Sequence, residues 1–273
     1  MKRLHMKNTL LLCFLIVVLT GCQQAGPPTP GIIPQPAEIE YQQGVFEVNT
    51  STVLVVPATG NGQKLAEELQ AFLKDRFRLD LKTATGDQPN AIHLVKSGTN
   101  VPGAYQLTVS ESGILIESST EQGLFYGIQT LKQLMSPQAV VKAPVLRFVR
   151  IQDKPAFLWR GMMLDVSRHF FPKDSVKKVI DILAMHKMNK FHWHLVDGIG
   201  WRIETERYPE LTRRGAWRKV KAGKQPWEDF ETADQHAEGE VYGGYYTKAD
   251  IQEIVAYAAD RYIPWGVSAY WRG

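Results

Sequence analysis

The 273-residue sequence is poor in cysteine, with only Cys13 and Cys22. Cys13 lies inside an apolar run near the N-terminus. A chain processed after that run keeps one thiol, so no internal disulfide is available and stability must come from packing. Long hydrophobic runs are also missing. The run from Leu10 to Leu19 has ten residues, too short to cross a bilayer as a helix and suited to a signal-peptide core. An excess of charge of one sign is absent as well. The formal net charge is +4, and Lys2, Arg3 and Lys7 all precede the apolar run. Losing residues 1–21 removes three positive charges and no negative one, which takes the charge to +1. That balance gives no support for a nucleic-acid partner. Nor is there a nucleotide motif. Gly123 and Gly127 sit within a helical pattern, whereas a phosphate loop needs its glycines between a strand and a helix.

What is present begins with the N-terminal segment. The basic front and apolar run end in Leu19-Thr20-Gly21-Cys22. This resembles the bacterial lipoprotein signal, in which the chain is cut before the cysteine and the thiol is lipidated. It implies a signal peptide over 1–21 and lipidation of Cys22. A plain secretory signal and an uncleaved anchor are the alternatives. Residues 23–36, "QQAGPPTPGIIPQP", are rich in Pro, Gly and Gln without apolar period. Residues 22–36 therefore read as a lipid-anchored linker. The expected location is the bacterial cell envelope, on the periplasmic or cell-surface side, with membrane contact through the lipid alone.

Residues 37–147 read as a small α/β domain. "GVFEVNTSTVLVVP" holds two short β-branched runs, "AIHLV" is a short strand, and "AYQLTVS" with "GILIESS" reads as a hairpin. Leu65, Leu69, Phe72 and Leu73 share one helical face, and Leu124, Ile128, Leu131 and Met135 share another, behind a capping Thr120. Nothing in this stretch carries chemistry. A packing or positioning module is the better reading.

Residues 148–273 read differently. Met162 to Leu164 is an apolar run expected to be a strand buried on both faces. Val176, Val179, Ile180, Leu183 and Ala184 predict a helix over about 173–187, with Asn189 as its stop. A second strand follows from Lys190 to Val196. Asp165, Ser167, Arg168 and His169 crowd after the first strand, and Asp197 ends the second. In parallel α/β folds, above all a (β/α)₈ barrel, the C-terminal ends of the strands carry the active site.

His192 and His194 are two apart on a strand and share a face. Such a pair can bind a metal, but metal sites need three or four ligands. His93, His169, His186 and His236 form no further His-X-His or His-X-X-X-His pair. The preferred reading is two hydrogen-bonded polar residues inside a barrel, with no metal. Arg168 and Asp197 open onto one surface. A guanidinium fork that donates, beside a carboxylate that accepts, suits sugar hydroxyls. A structural Arg–Asp pair is the alternative.

Three long segments carry a resemblance. They are "WRGMMLDVSRHFFPKDSVKKVIDILAMHKMNKFHWHLVDGIGWRIE", "YPELTRRGAW" and "GGYYTKADIQEIVAYAADRYI". Together they resemble the first part of the catalytic barrel of family 20 glycoside hydrolases, the β-N-acetylhexosaminidases. "GLFYGIQTLKQLM" is similar to part of the small domain that precedes that barrel. The resemblance implies a fold of α/β class, a small α+β N-terminal domain followed by an incomplete (β/α)₈ TIM barrel. It implies Arg168 holding the hydroxyls of a terminal N-acetylhexosamine and Asp197 in the hydrogen-bonding network. The implied partner is an oligosaccharide or glycoconjugate ending in that sugar, and no cofactor is needed. One departure is local: the family commonly has a second acidic residue after the aspartate, and here Gly198 and Ile199 follow.

The family's chemistry is substrate-assisted. The 2-acetamido oxygen attacks the anomeric carbon with retention, an aspartate orients the acetamido group, and the adjacent glutamate is the acid/base. This sequence contains no Asp-Glu dipeptide; Glu228-Asp229 has the reverse order in a polar, insertion-type loop. The tail "PWGVSAYWRG" reads as having no further apolar strand. The expectation is therefore a truncated or frame-shifted chain that is inactive alone, with two βα units that cannot close a barrel and an exposed edge on the second strand. A non-catalytic glycan-binding lipoprotein is the alternative.

Overall fold

A computed structural model describes residues 31–57, 60–98, 101–135, 143–219, 223, 232–239 and 241–269. The apolar run at Leu10 to Leu19, Cys22 and Glu228-Asp229 lie outside them.

Two sheets organise the chain. The first has seven strands: β1 (Glu38–Glu47), β2 (Val53–Val55), β3 (Lys82–Ala84), β4 (Ala91–Lys96), β5 (Tyr105–Ser110), β6 (Gly113–Ser118) and β7 (Val145–Asp153). Their order is β1-β7-β5-β6-β4-β2-β3. The half containing β1, β7, β5 and β6 pairs antiparallel, and β6, β4, β2 and β3 pair parallel. The expected hairpin is β5–β6, joined at Glu111 and Ser112, with Ser110 opposite Gly113. In β5, alternation sends Tyr105, Leu107 and Val109 into the core.

Helices α1 (Gly62–Phe77) and α2 (Glu121–Met135) pack against each other, and α2 lies on β5 and β6. Thr120 caps α2, its hydroxyl accepting the Gly123 N–H at 3.1 Å. Eleven of the fifteen residues of α2 are buried. A helix buried nearly all round needs partners on two sides. Here the first sheet covers one side, and α3 (Lys173–Met185) of the second unit packs on the helix as well. Gly123 and Gly127 serve this packing. A Cβ at Gly123 would overlap the Ser118 hydroxyl and the Ala104 carbonyl, and one at Gly127 would strike Ile116.

The second sheet is parallel and has the order β12-β9-β8, built from β8 (Gly161–Asp165), β9 (Lys190–Val196) and β12 (Trp265–Ala269). Helix α3 connects β8 to β9. The short α4 (Glu210–Arg213), the pair β10 (Trp217–Lys219) and β11 (Val241–Gly243), and α5 (Lys248–Ala259) lie between β9 and β12. Helix α3 buries Val176, Ile180, Leu183 and Ala184, and α5 buries Ile254 and Ala258. Thr247 and Asp250 form a reciprocal capping box at the start of α5. This is a β/α arrangement of barrel type; a closed barrel is not present among the described residues.

Five expectations are corrected. The tail does hold a third strand: β12 pairs parallel to β9, Trp265 opposite Phe191, so β9 is a central strand and not an exposed edge. Met162 and Met163 are not buried on both faces, being 39% and 53% exposed, because among the described residues β8 borders the sheet and pairs only with β9. The boundary at 147/148 falls inside β7, which stays paired with β1 and β5 through Asp153. The linker does not run to residue 36. Ile32 is buried, the Gln133 amide accepts from Ile33 N–H at 2.8 Å and donates to Ile33 C=O at 2.9 Å, and His186 Nδ1 lies 3.2 Å from that carbonyl. Finally, α3 stops before Asn189. Lys187 takes the left-handed conformation (φ 57), and the N–H groups of Lys187 and Met188 return to the carbonyls of Ala184 and Leu183, a Schellman closure.

Candidate active site

The C-terminal ends of β8 and β9 meet in register, with Asp165 opposite His194. Just beyond β8 the chain turns sharply. Asp165 Oδ1 accepts the N–H groups of Ser167 (2.9 Å) and Arg168 (3.0 Å), which bends the backbone back over the strand end. The other carboxylate oxygen, Oδ2, lies 2.8 Å from Arg168 Nη1. Asp165 thus sets both the backbone and the side chain of Arg168.

From the neighbouring strand, Asp197 Oδ2 approaches the same Nη1 at 2.6 Å. His194 Nε2 is 2.9 Å from that oxygen and 3.2 Å from Nη1. One oxygen accepting from both groups assigns the proton to Nε2, and the close approach of the two nitrogens follows from their common acceptor. Asp197 Oδ1 accepts the Gly198 N–H at 2.6 Å. That backbone bond first, then His194 and Arg168, holds the Asp197 carboxyl below its ordinary range.

The guanidinium of Arg168 is fixed by two carboxylates through one nitrogen and is 46% exposed. Its Nε and Nη2 make no hydrogen bond among the described residues, so donors remain for a ligand. The group of Asp165, Arg168, His194 and Asp197 sets two carboxylates around one guanidinium. Carboxylate oxygens beside a fixed fork can bind a polyhydroxylated ligand through both donor and acceptor contacts.

Sequence reasoning expected Arg168 and Asp197 to share a surface, and the structure brings them into contact. It also brings in His194, taken as a polar interior residue, and Asp165, noted only as part of a polar crowd. The signal for Asp165 was available: an aspartate two residues before a serine and three before the arginine is an Asx-turn pattern. His192 meets His194 edge to face, with ring centroids 6.1 Å apart. His169 turns toward Tyr242, with Nδ1 2.7 Å from the phenol oxygen and its ring against Phe171. Among the described residues no three of His, Cys, Asp and Glu gather as a metal site. The departure at Gly198 and Ile199 leaves a well-fastened loop: the Ser167 hydroxyl donates to the carbonyls of Ile199 and Gly200.

Comparison with known proteins agrees with this layout. The family model for glycosyl hydrolase family 20, catalytic domain, matches residues 157–264, and that for glycosyl hydrolase family 20, domain 2, matches residues 29–154. A beta-hexosaminidase of Porphyromonas gingivalis is 37% identical over 242 residues, covering 85% of this chain and 29% of that protein. One of Vibrio furnissii is 35% identical over 234 residues, covering 85% of this chain and 36% of the relative. Among solved structures, the Streptomyces plicatus N-acetyl-beta-hexosaminidase in complex with thio-NAglucal superposes with a TM-score of 0.73 at 32% identity, covering 89% of this chain and 47% of that one. The Vibrio harveyi exo-beta-N-acetylglucosaminidase in complex with N-acetylglucosamine gives 0.71 at 30% identity, covering 89% and 37%. The chain spans about a third of the length of these two curated relatives. With both family models matched in order and the parallel strands in place, the chain belongs to glycoside hydrolase family 20.

Proposed function

We propose that this chain forms the sugar-gripping part of a β-N-acetylhexosaminidase. Arg168 donates to the hydroxyls of a terminal N-acetylhexosamine, and Asp197, with His194 behind it, accepts from the same ring. The observation that carries this is the fork itself. One nitrogen of Arg168 is locked between Asp165 and Asp197 at the strand ends, while the side chain stays 46% exposed. The substrate class is an oligosaccharide or glycoconjugate ending in N-acetylglucosamine or N-acetylgalactosamine.

Hydrolysis needs more than this grip. The acetamido oxygen comes with the substrate, but the leaving oxygen needs a proton, and general acid catalysis typically contributes about 10²–10⁴-fold. The oxazolinium-like charge also needs a fixed carboxylate nearby. The family supplies both from an Asp-Glu pair, and these 273 residues contain no such dipeptide. Ground-state binding alone does not speed the chemical step. The chain alone therefore binds sugar without turnover, which is also the property of a non-catalytic glycan-binding lipoprotein. The test is a titration of the purified chain with N-acetylglucosamine, followed by assay on an aryl N-acetyl-β-glucosaminide. The expected result is binding that Arg168→Ala abolishes, and no turnover above background. Turnover that disappears in Arg168→Ala would reveal a catalytic acid elsewhere in the chain.

We place the chain at the bacterial cell envelope, with lipid on Cys22. The support is the basic front, the ten-residue apolar run and Leu-Thr-Gly-Cys. One acyl chain holds a membrane only marginally, so stable attachment takes several. Loss of fatty-acid label in Cys22→Ser is expected, and wild-type labelling of that variant would rule the assignment out.

A further inference from the structure

The turn that carries Arg168 is held from below by a second arginine. Arg202 follows β9 and is fully buried. Its Nε donates to Val166 C=O and its Nη2 to Ser167 C=O, each at 2.9 Å. These are the two residues immediately before Arg168. Its Nη1 donates to the carbonyls of Ala216 and Gly244, the latter at 2.9 Å. One guanidinium thus ties the turn after β8 to the residue before β10 and the residue after β11. Among the described residues no carboxylate lies within ion-pair distance of it. Burial, and then the charge of Arg218, pushes its pKa down to about 10, so it remains charged at neutral pH.

The surroundings are built for it. Gly200 has φ +79, and a Cβ there would press on Arg202 Nη2 (2.7 Å) and on the Ser167 carbonyl. Gly244 admits the ring of Phe170, which lies 5.6 Å from the Arg202 guanidinium carbon. A buried charge is costly unless its donors are met, and here four carbonyls meet them. A fixed fork can bridge such dispersed acceptors; a lysine, donating from one point, cannot.

The geometry points to Arg202 as a positioning residue for the sugar-binding arginine: it fixes the 166–168 turn, and so the aim of Arg168, without touching the sugar. This rests on the sugar-gripping role argued above. A structural role alone would be met by any replacement that preserves the fold, whereas positioning requires a planar fork at that point.

The experiment uses the full chain, uniformly labelled with ¹⁵N. Two readouts are followed in wild type, Arg202→Lys, Arg202→Ala and Arg168→Ala: the Arg168 Nε–H resonance, identified by its loss in Arg168→Ala, and the affinity for N-acetylglucosamine. Arg202→Lys is expected to keep the β9 amide shifts yet displace or broaden the Arg168 resonance. It should also weaken binding by about tenfold or more, the factor expected for one lost charge-assisted hydrogen bond. Added guanidinium ion should restore both readouts in Arg202→Ala and neither in Arg168→Ala. Wild-type resonance and affinity in Arg202→Lys would overturn the proposal. So would losses in Arg202→Ala that guanidinium fails to repair. If the wild-type chain does not bind the sugar at all, the functional reading falls, while the Arg168 resonance still decides whether Arg202 positions it.

Discussion

Lys187 Nζ lies 3.0 Å from Asp153 Oδ2, with both side chains nearly out of solvent. The pair links the end of helix α3 to the last strand of the first sheet. The same ammonium donates to Tyr105 Oη at 2.8 Å, and that phenol also contacts Thr130 Oγ1 and Asp153. Beside it, Arg160 Nη2 donates to Tyr126 Oη, and Arg160 Nε to the Lys187 carbonyl. The two sheets are thus joined through a buried polar network as well as through the apolar face of α2.

Lys187→Met should cost about 3–5 kcal/mol in urea unfolding, because it strands the Asp153 carboxylate in a buried setting. The double variant Lys187→Met/Asp153→Leu should recover most of that loss, since replacing both partners is often close to neutral. A double variant less stable than Lys187→Met would refute this account.

Burial pushes the Lys187 amine below its ordinary pKa, against the pull of Asp153. That burial and pairing also explain what the sequence conceals. Asn189 looked like the helix stop because asparagine tolerates left-handed backbone. The structure places that conformation at Lys187, where buried contacts made far away in sequence offset its cost. Strand β12 was hidden for a related reason. "WGVSA" is interrupted by Gly266 and Ser268, and strand preference depends strongly on the neighbouring strand, here β9. By contrast, β9, α3, Arg168 and Asp197 were legible, because a periodic apolar face and polar residues past a strand end are local patterns. The role of Asp165 was legible as a local turn pattern, whereas that of His194 beside Arg168 needed the register between β8 and β9.

Gly123→Ala should destabilise the chain by roughly 1–3 kcal/mol, the usual cost of overpacking. Helix preference alone would favour alanine by up to about 1 kcal/mol. The steric term wins because the new methyl would meet the Ser118 hydroxyl and the Ala104 carbonyl, which are hydrogen-bonded to each other at 2.7 Å. Gly198→Ala should be near neutral, since no atom lies within 4 Å of its added Cβ. Thermal melting of the two variants checks the contrast.

Asp197 should title its own contribution to acid stability with a definite sign. Its carboxyl is held below the unfolded value of 3.8, first by the Gly198 N–H and then by His194 and Arg168. Its contribution is therefore fully present above that value and is lost as pH falls through the lower folded one. The difference in melting temperature between wild type and Asp197→Asn should be constant at neutral pH and shrink below about pH 4. A difference that grows on acidification would contradict the geometry.

The clasp of Gln133 and His186 on Ile33 has a directional consequence. His186 closes α3 just before β9 begins, whereas Asp197 lies just past the other end of β9. The seven residues of β9 separate those ends by roughly 20 Å. Ile33, near the start of the described residues, is therefore held at the end of β9 opposite the Arg168 fork.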